Sequence, residues 1–485
     1  MMVVLRSNED VTDFLIGKFD DLRLRATGGL LFKRICHKIT TCVKNLGETR
    51  AMQVAFERFL HNPRTSAAEI AKSLCEQTNQ RCIGRAHVLA IGDTVENTFP
   101  GHKIKKDKFG TGSHSNIKCF FGHPVVIVDA QSKDMLGLGS IETWTRTKEP
   151  LAKNKPRPIE EKESMKWLTA AANTAKYITN PDKITMVYDR EGDIYELFDR
   201  RPSGKIELLV RSDHDRKIQE KGMFLSEYLR EISVAKQYDI ELPPITGKRT
   251  ARTATMVLKF TTITMLKPGH LTKYQNKAIE VTCVEATEIS VPPNGEAPIY
   301  WRILTTHDVT NAEEAMKIVT WYTWRWSIEQ IFRTNKTKGL DIESSQIEEP
   351  AALFKLFVLS LAAAVKVMSL VHARDGLTKR PASDIFSETE IKVLERARVK
   401  VEGKTVKQQN PFSLHSLSWA AWIIARLGGW MGYQKASPPG PITMYRGLQV
   451  LDKYMDAWAL FNAEAESIET METSYSTAPK DVCIG

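Results

Sequence analysis

Apolar positions along this chain switch between two periods, and the switches divide it into three parts. From Leu30 to Val43 they fall at helical spacing, and Met52 to Leu60 continues that pattern with Phe56 and Phe59. Ser66, three positions before Glu69, has the spacing of a capping box that opens a further helix. From about residue 81 the period shortens. The runs ending at Asp93 (from His87) and Asp189 (from Ile184) read as short buried strands with an acid where each stops. Between them lie strands from Val125 to Asp129 and Leu136 to Trp144, then a helix from about Glu160 to Tyr177. Residues 205 to 307 alternate in a β manner. Their strands are separated by Pro243-Pro244, Gly247, Pro268-Gly269 and Pro292 to Gly295. After about residue 372 the helical period returns. Ser413 is placed to cap a helix that ends at Gly428-Gly429. Leu448, Leu451, Met455 and Trp458 form a coiled-coil-like seam, and the tail from about Ser467 is polar.

Link lengths turn these elements into a topology. Short links among the first three strands force antiparallel pairing, and the helical crossover allows the next strand to run parallel to the first. That order, with acids at the first and fourth strands, is ribonuclease-H-like. The expected fold is α/β, with a ribonuclease-H-like core over 81–372 that carries a β-rich insertion at 205–307. A helical unit at 1–80 and another at 373–485 flank it.

Composition narrows the partners. At 485 residues with 42% hydrophobic content, the chain can bury several cores and divides into two to four domains. Its formal net charge of +10 suits a polyanion. Between Leu22 and Arg50, seven cations (Arg23, Arg25, Lys33, Arg34, Lys38, Lys44, Arg50) face one acid, Glu48, a density that suits a DNA-contacting helix. A solvated helix face fits the same charges. The seven cysteines lack CxxC spacing and read as reduced thiols of a cytoplasmic protein. Lys355 and Lys366 interrupt the most apolar stretch, Ala351 to Val371, which reads as a core helix with no membrane partner. The loop with Lys103, Lys105, Lys106 and Lys108 lacks the P-loop ending and reads as a basic hairpin tip beside DNA. There is no GxSxG or HExxH to indicate a solute hydrolase.

The densest chemistry is Tyr322-x2-Arg325-x3-Glu329-x6-Lys336. On one continuous helix these four would share an arc of about 60°. Trp324, Trp326, Ile328 and Ile331 would surround the acid with apolar bulk. Asp93, Asp189 and Glu329 then form an acid set on two strands and a helix. Oxygen ligands without histidine suit a hard cation such as Mg2+, or Mn2+ in its place. Two such ions roughly 4 Å apart serve in-line phosphoryl transfer.

The order of the acids, the Tyr-Arg-Glu-Lys signature and Asp189-Arg-Glu-Gly-Asp193 resemble the cut-and-paste DDE transposases of bacterial insertion sequences. Within them the likeness is to the hairpin-forming subgroup, which includes the transposase of the composite kanamycin-resistance transposon. It runs over nearly the whole chain, through Arg58-Phe59, Lys166-Trp167-Leu168, Glu348-Glu349-Pro350 and Ala425-Arg-Leu-Gly-Gly429. The resemblance implies that Asp93, Asp189 and Glu329 ligate two metal ions. It implies that Tyr322, Arg325 and Lys336 grip the transposon-end backbone, and that Trp301 stacks on a flipped base. Arg190 and Arg211 stand where relatives place further DNA contacts. The implied activity is nicking of the element's end, hairpin formation and opening, and joining to target DNA, performed by a homodimer in a synaptic complex. The first residues, Gly92 and Trp324 depart from the pattern. A nuclease that hydrolyses without joining, and a DNA-binding relative without catalysis, remain open as alternatives.

Overall fold

The structure is a computed structural model that describes residues 15–100, 108–113, 117–146, 157–202, 204–244, 250–271, 277–337, 339–432 and 437–476. Four helices come first: α1 (Leu22–Lys38), α2 (Val43–Leu46), α3 (Arg50–His61) and α4 (Ala67–Arg81). Asp21, Thr49 and Ser66 cap α1, α3 and α4 by accepting backbone N–H groups. Only half of the expected capping box forms at Ser66, because the Glu69 carboxylate accepts instead from the Lys18 N–H at 3.0 Å. The first helix starts earlier than its apolar spacing indicates and stops at Ile39, whose φ of 44° is left-handed.

The strands follow as β1 (His87–Gly92), β2 (Val95–Thr98), β3 (Gly110–Thr111), β4 (Lys118–Asp129) and β5 (Met135–Trp144). Helix α5 (Met165–Tyr177) crosses to β6 (Lys183–Tyr188), and α6 (Tyr195–Asp199) leads to β7 (Ile206–Arg211). Then come α7 (Leu225–Glu231), β8 (Lys236–Leu242), β9 (Arg252–Leu266), β10 (Ala278–Glu288) and β11 (Tyr300–Thr305). All belong to one 11-stranded sheet, in the order β2-β4-β1-β6-β7-β11-β10-β9-β8, with β3 and β5 also on β4. The pairs β1–β4 and β4–β5 are antiparallel, and β1–β6 and β6–β7 are parallel. Residues 205–307 therefore do not form a separate sheet. β7 pairs with β6 on one side and with β11 on the other.

Alternation decides which face each residue meets. Leu89, Ile91, Val126, Val128, Val187 and Leu209 face one core, while Val88, Ala90, Ile127, Met186, Leu208 and Val210 face a second core under α5. The first core is closed by α8 (Ala312–Thr323), α9 (Trp326–Lys336) and α10 (Pro350–Ala373), with α11 (Glu388–Val401), α12 (Leu417–Leu427) and α13 (Pro441–Ser476) behind them. By length and apolarity α10 passes the test for a bilayer-crossing helix, yet 18 of its 24 residues are buried inside the fold. Ser416, not Ser413, caps α12, because the helix begins only where the apolar run from Leu417 does. The seam of Leu448, Leu451, Met455 and Trp458 packs inward on this core.

Candidate functional site

Two acids stand side by side just past the C-terminal ends of two neighbouring interior strands. Ile91 of β1 pairs with Val187 of β6, and each strand is followed two residues later by an aspartate. Asp93 and Asp189 thus leave neighbouring parallel strands, whose axes are about 4.8 Å apart, at the same level. Asp93 Oδ1 accepts the Thr94 N–H at 2.7 Å. Asp189 caps the short turn that follows it by accepting the Glu191 N–H at 3.0 Å.

Glu329 reaches them from a broken helix. The continuous helix expected through the Tyr-Arg-Glu-Lys signature is not formed. α8 ends at Thr323, the chain turns through Trp324 and Arg325, and α9 starts at Trp326. Hydroxyls of Thr320 and Thr323 bond back to the Met316 and Thr320 carbonyls just where the helix gives way. Trp324 and Arg325 keep right-handed helical backbone, the hydrogen bonds tighten there to the third residue back, and Glu329 and Lys336 lie on α9. Arg325 forks between two acids, with Nη1 2.8 Å from Asp93 Oδ2 and Nη2 2.5 Å from Glu329 Oε1. One guanidinium so joins Asp93, 232 residues from it in the chain, to Glu329, four residues on. Its Nε is buried and has no hydrogen-bond partner.

The electrostatics are those of crowded negative charge. Burial, and then the Asp189 charge, push the Asp93 carboxyl up to about 7, against the pull of Arg325 and the Thr94 N–H. Burial and the Glu191 charge raise Asp189 as well, with Arg325 and Lys166 opposing. Burial alone would lower the Arg325 guanidinium, but Asp93, Tyr322 and Glu329 outweigh it and raise it. The three side chains offer carboxylate oxygens alone, the donor type that hard cations prefer. In their present positions, no three His, Cys, Asp or Glu side chains among the described residues form a metal-holding group. Arg325 is the cation that Asp93 and Glu329 share.

No family model matches this chain.

Several of the other expected contacts are engaged within the protein. Lys336 lies 3.1 Å from Glu343 Oε1 and donates to the Glu96 carbonyl. Tyr322 is buried and makes an edge contact with half-buried Trp301 at 6.5 Å. Arg211 donates to the Tyr300 carbonyl at 3.0 Å, and Arg190 is 3.9 Å from Asp213. The α1 cations belong to a different group of helices, packed on α3, α10 and α13. There Arg23 is exposed, Lys33 and Lys38 are half-buried, Arg25 donates to the Phe19 carbonyl and Arg34 pairs with Glu48. Lys103, Lys105 and Lys106 lie outside the described residues, while Lys108 pairs with Glu349.

The apolar collar around Glu329 is also only partly formed. Ile328 and Ile331 are fully buried, but Trp326 is 61% exposed. Two further residues near the acids were given no role by the sequence, although Lys166 belongs to the Lys166-Trp167-Leu168 match. His123, wholly buried, lies 3.0 Å through Nδ1 from Thr94 Oγ1. Lys166 sits over the Trp144 and Trp167 rings and 3.1 Å from Glu191.

Proposed function

We propose that this chain is a metal-dependent DNA transposase of the cut-and-paste, hairpin-forming kind, with a ribonuclease-H-like core. The observation that carries the reading is the meeting of Asp93 and Glu329 on one guanidinium, with Asp189 level with Asp93 on the next strand. Support also comes from the strand order β5-β4-β1-β6-β7, three antiparallel strands followed by two parallel ones.

Asp93, Asp189 and Glu329 would hold two Mg2+ ions, with Mn2+ able to replace them. When bound, these ions would sharpen an attacking oxygen and stabilise the leaving one. The chain's own groups do the rest. Arg325 and Lys336 offer charge-assisted hydrogen bonds to backbone phosphates, the arginine in bidentate form. Trp301 offers a ring on which a displaced base can stack. The α1 cations and Arg190 and Arg211 add non-specific attraction to the duplex. Cutting two ends together calls for two copies, so the working form is a homodimer on DNA, acting in the cytoplasm on the nucleoid.

The test substitutes Glu329→Gln and incubates the chain with Mg2+ and duplexes that carry candidate element ends. Hairpinned and joined products should form with the wild type and vanish with the variant, while DNA binding stays unchanged. Cleavage that survives in the variant removes Glu329 from the chemistry. Cleavage by the wild type without joined products would make the chain a nuclease.

A further inference from the structure

We propose that Arg325 is the resident counter-ion of the acids, held between Asp93 and Glu329 until a divalent cation and a DNA phosphate together displace it. This rests on the reading of the acids as a metal site and goes beyond it, because it couples metal loading to DNA binding through one side chain. Three observations support it. First, Arg325 spends both terminal nitrogens on carboxylates assigned to metal, at 2.8 and 2.5 Å, so the two cations compete for the same oxygens. Second, its fit is incomplete. The Nε–H is buried without an acceptor, a loss that a third acceptor such as a phosphate oxygen would repair. Third, Arg325 stands at the junction of α8 and α9 with its backbone helical, so the exchange needs a rotation of its side chain alone.

The second signature cation is arranged in the same way. Lys336 Nζ is held by Glu343, and the same Glu343 oxygen accepts the Thr98 N–H at 2.8 Å. In each case a protein carboxylate occupies the cation that the phosphodiester would take. A planar guanidinium satisfies two carboxylates or one phosphate in the same bidentate manner, so the exchange conserves its hydrogen bonds. Once it moves to phosphate, Asp93 and Glu329 lose the guanidinium between them, and the demand for metal rises.

The experiment measures Mn2+ binding to the full chain by the paramagnetic signal of the free ion, with and without a short blunt duplex. Arg325→Ala in the absence of DNA should bind Mn2+ about tenfold tighter than wild type or better. The duplex should tighten Mn2+ binding by the wild type but leave the variant unchanged. Arg325→Gln keeps much of the length, removes the charge and should tighten binding likewise, so it carries the test if the alanine variant does not fold. Thermal unfolding gives a second readout: both variants should melt lower than wild type and recover on addition of Mn2+. Variants that bind Mn2+ no tighter than wild type overturn the counter-ion role. Placing Asp93→Asn in the Arg325→Gln background separates the two ideas. It should abolish Mn2+ binding. If it does so while Arg325→Gln alone changes nothing, only the counter-ion role falls; if Mn2+ still binds, the metal site and this proposal fall together.

Discussion

A Cβ added to Gly92 would lie 2.5 Å from Cε1 of the Tyr188 ring, so these two residues meet across the pair of strands that carry Asp93 and Asp189. The ring has little freedom to retreat. It is fully buried, its hydroxyl donates to the Trp167 carbonyl at 3.2 Å, and the Trp167 indole packs against it at 4.7 Å. Gly92→Ala should therefore destabilise the chain by about 1–3 kcal/mol, as overpacking does in a closed core. Urea denaturation measures it. Tyr188→Leu in the same chain should recover part of the loss, and an alanine variant as stable as wild type would show that the two strands can part.

His37 gives a pH-dependent prediction away from the site. The imidazole of α1 lies 3.0 Å from Glu390 of α11 and 3.3 Å from Asp452 of α13, while Lys366 of α10 is 3.7 Å from the same Glu390 oxygen. Burial alone would depress His37, but its bonds to Asp452 and Glu390 outweigh burial and the Lys366 charge and raise it above the ordinary value. A raised folded value means that the imidazolium contributes fully below about pH 6.5 and is lost as pH rises through the folded value. Unfolding midpoints taken from mildly acidic to mildly alkaline pH should fall in the wild type and change less in His37→Gln. Parallel curves for the two would remove His37 from the junction.

Lys355 is the buried cation of the most apolar helix, and its ammonium is fully used. Its Nζ donates to the carbonyls of Leu60 and Asn62 at 2.9 and 2.8 Å and to Thr65 Oγ1 at 2.8 Å. It ties the end of α3 to α10. Lys355→Met keeps much of the stem but abandons buried acceptors, at on the order of 1–3 kcal/mol for each one left unpaired. Calorimetric melting should register that loss. A melting point equal to wild type would mean that water replaces the ammonium.

If α1 and its neighbours track DNA, the exposed cations should set the salt response. Arg23, Lys44 and Arg50 are exposed, whereas Arg34 is engaged with Glu48. Replacing the first three by alanine should reduce the slope of log affinity against log salt by up to about 3, near 0.9 per phosphate contact. Arg34→Ala should act mainly on stability. An unchanged slope in the triple variant would take this face out of the interface.

What the sequence conveyed and what it withheld divide along physical lines. The acid-tipped strands were legible because β1 and β6 are buried on both faces and read as short β-branched or apolar runs that stop at an acid. The pairing sense of β1, β4, β5 and β6 followed from link lengths alone. The break before Arg325 was not legible, since a periodic arc assumes a straight helix and the Thr320 and Thr323 back-bonds leave apolar spacing untouched. Nor was the partnership of Arg325 with Asp93, which depends on how α9 docks at the strand ends. The helix start at Ser416 was misread by one turn because Ser413 and Ser416 are equally good caps and only the following apolar run chooses between them.

β7 has no free edge: Ile206 to Val210 pair with β6, and Leu209 to Arg211 pair with β11. The long β9–β10 ribbon beyond it is thereby welded to the strand that ends at Asp189. A hinge between them would have to rupture several ladder bonds at once, so the ribbon behaves as a stiff lever arm. The position of the ribbon is thus tied, through β11, β7 and β6, to that of the acids.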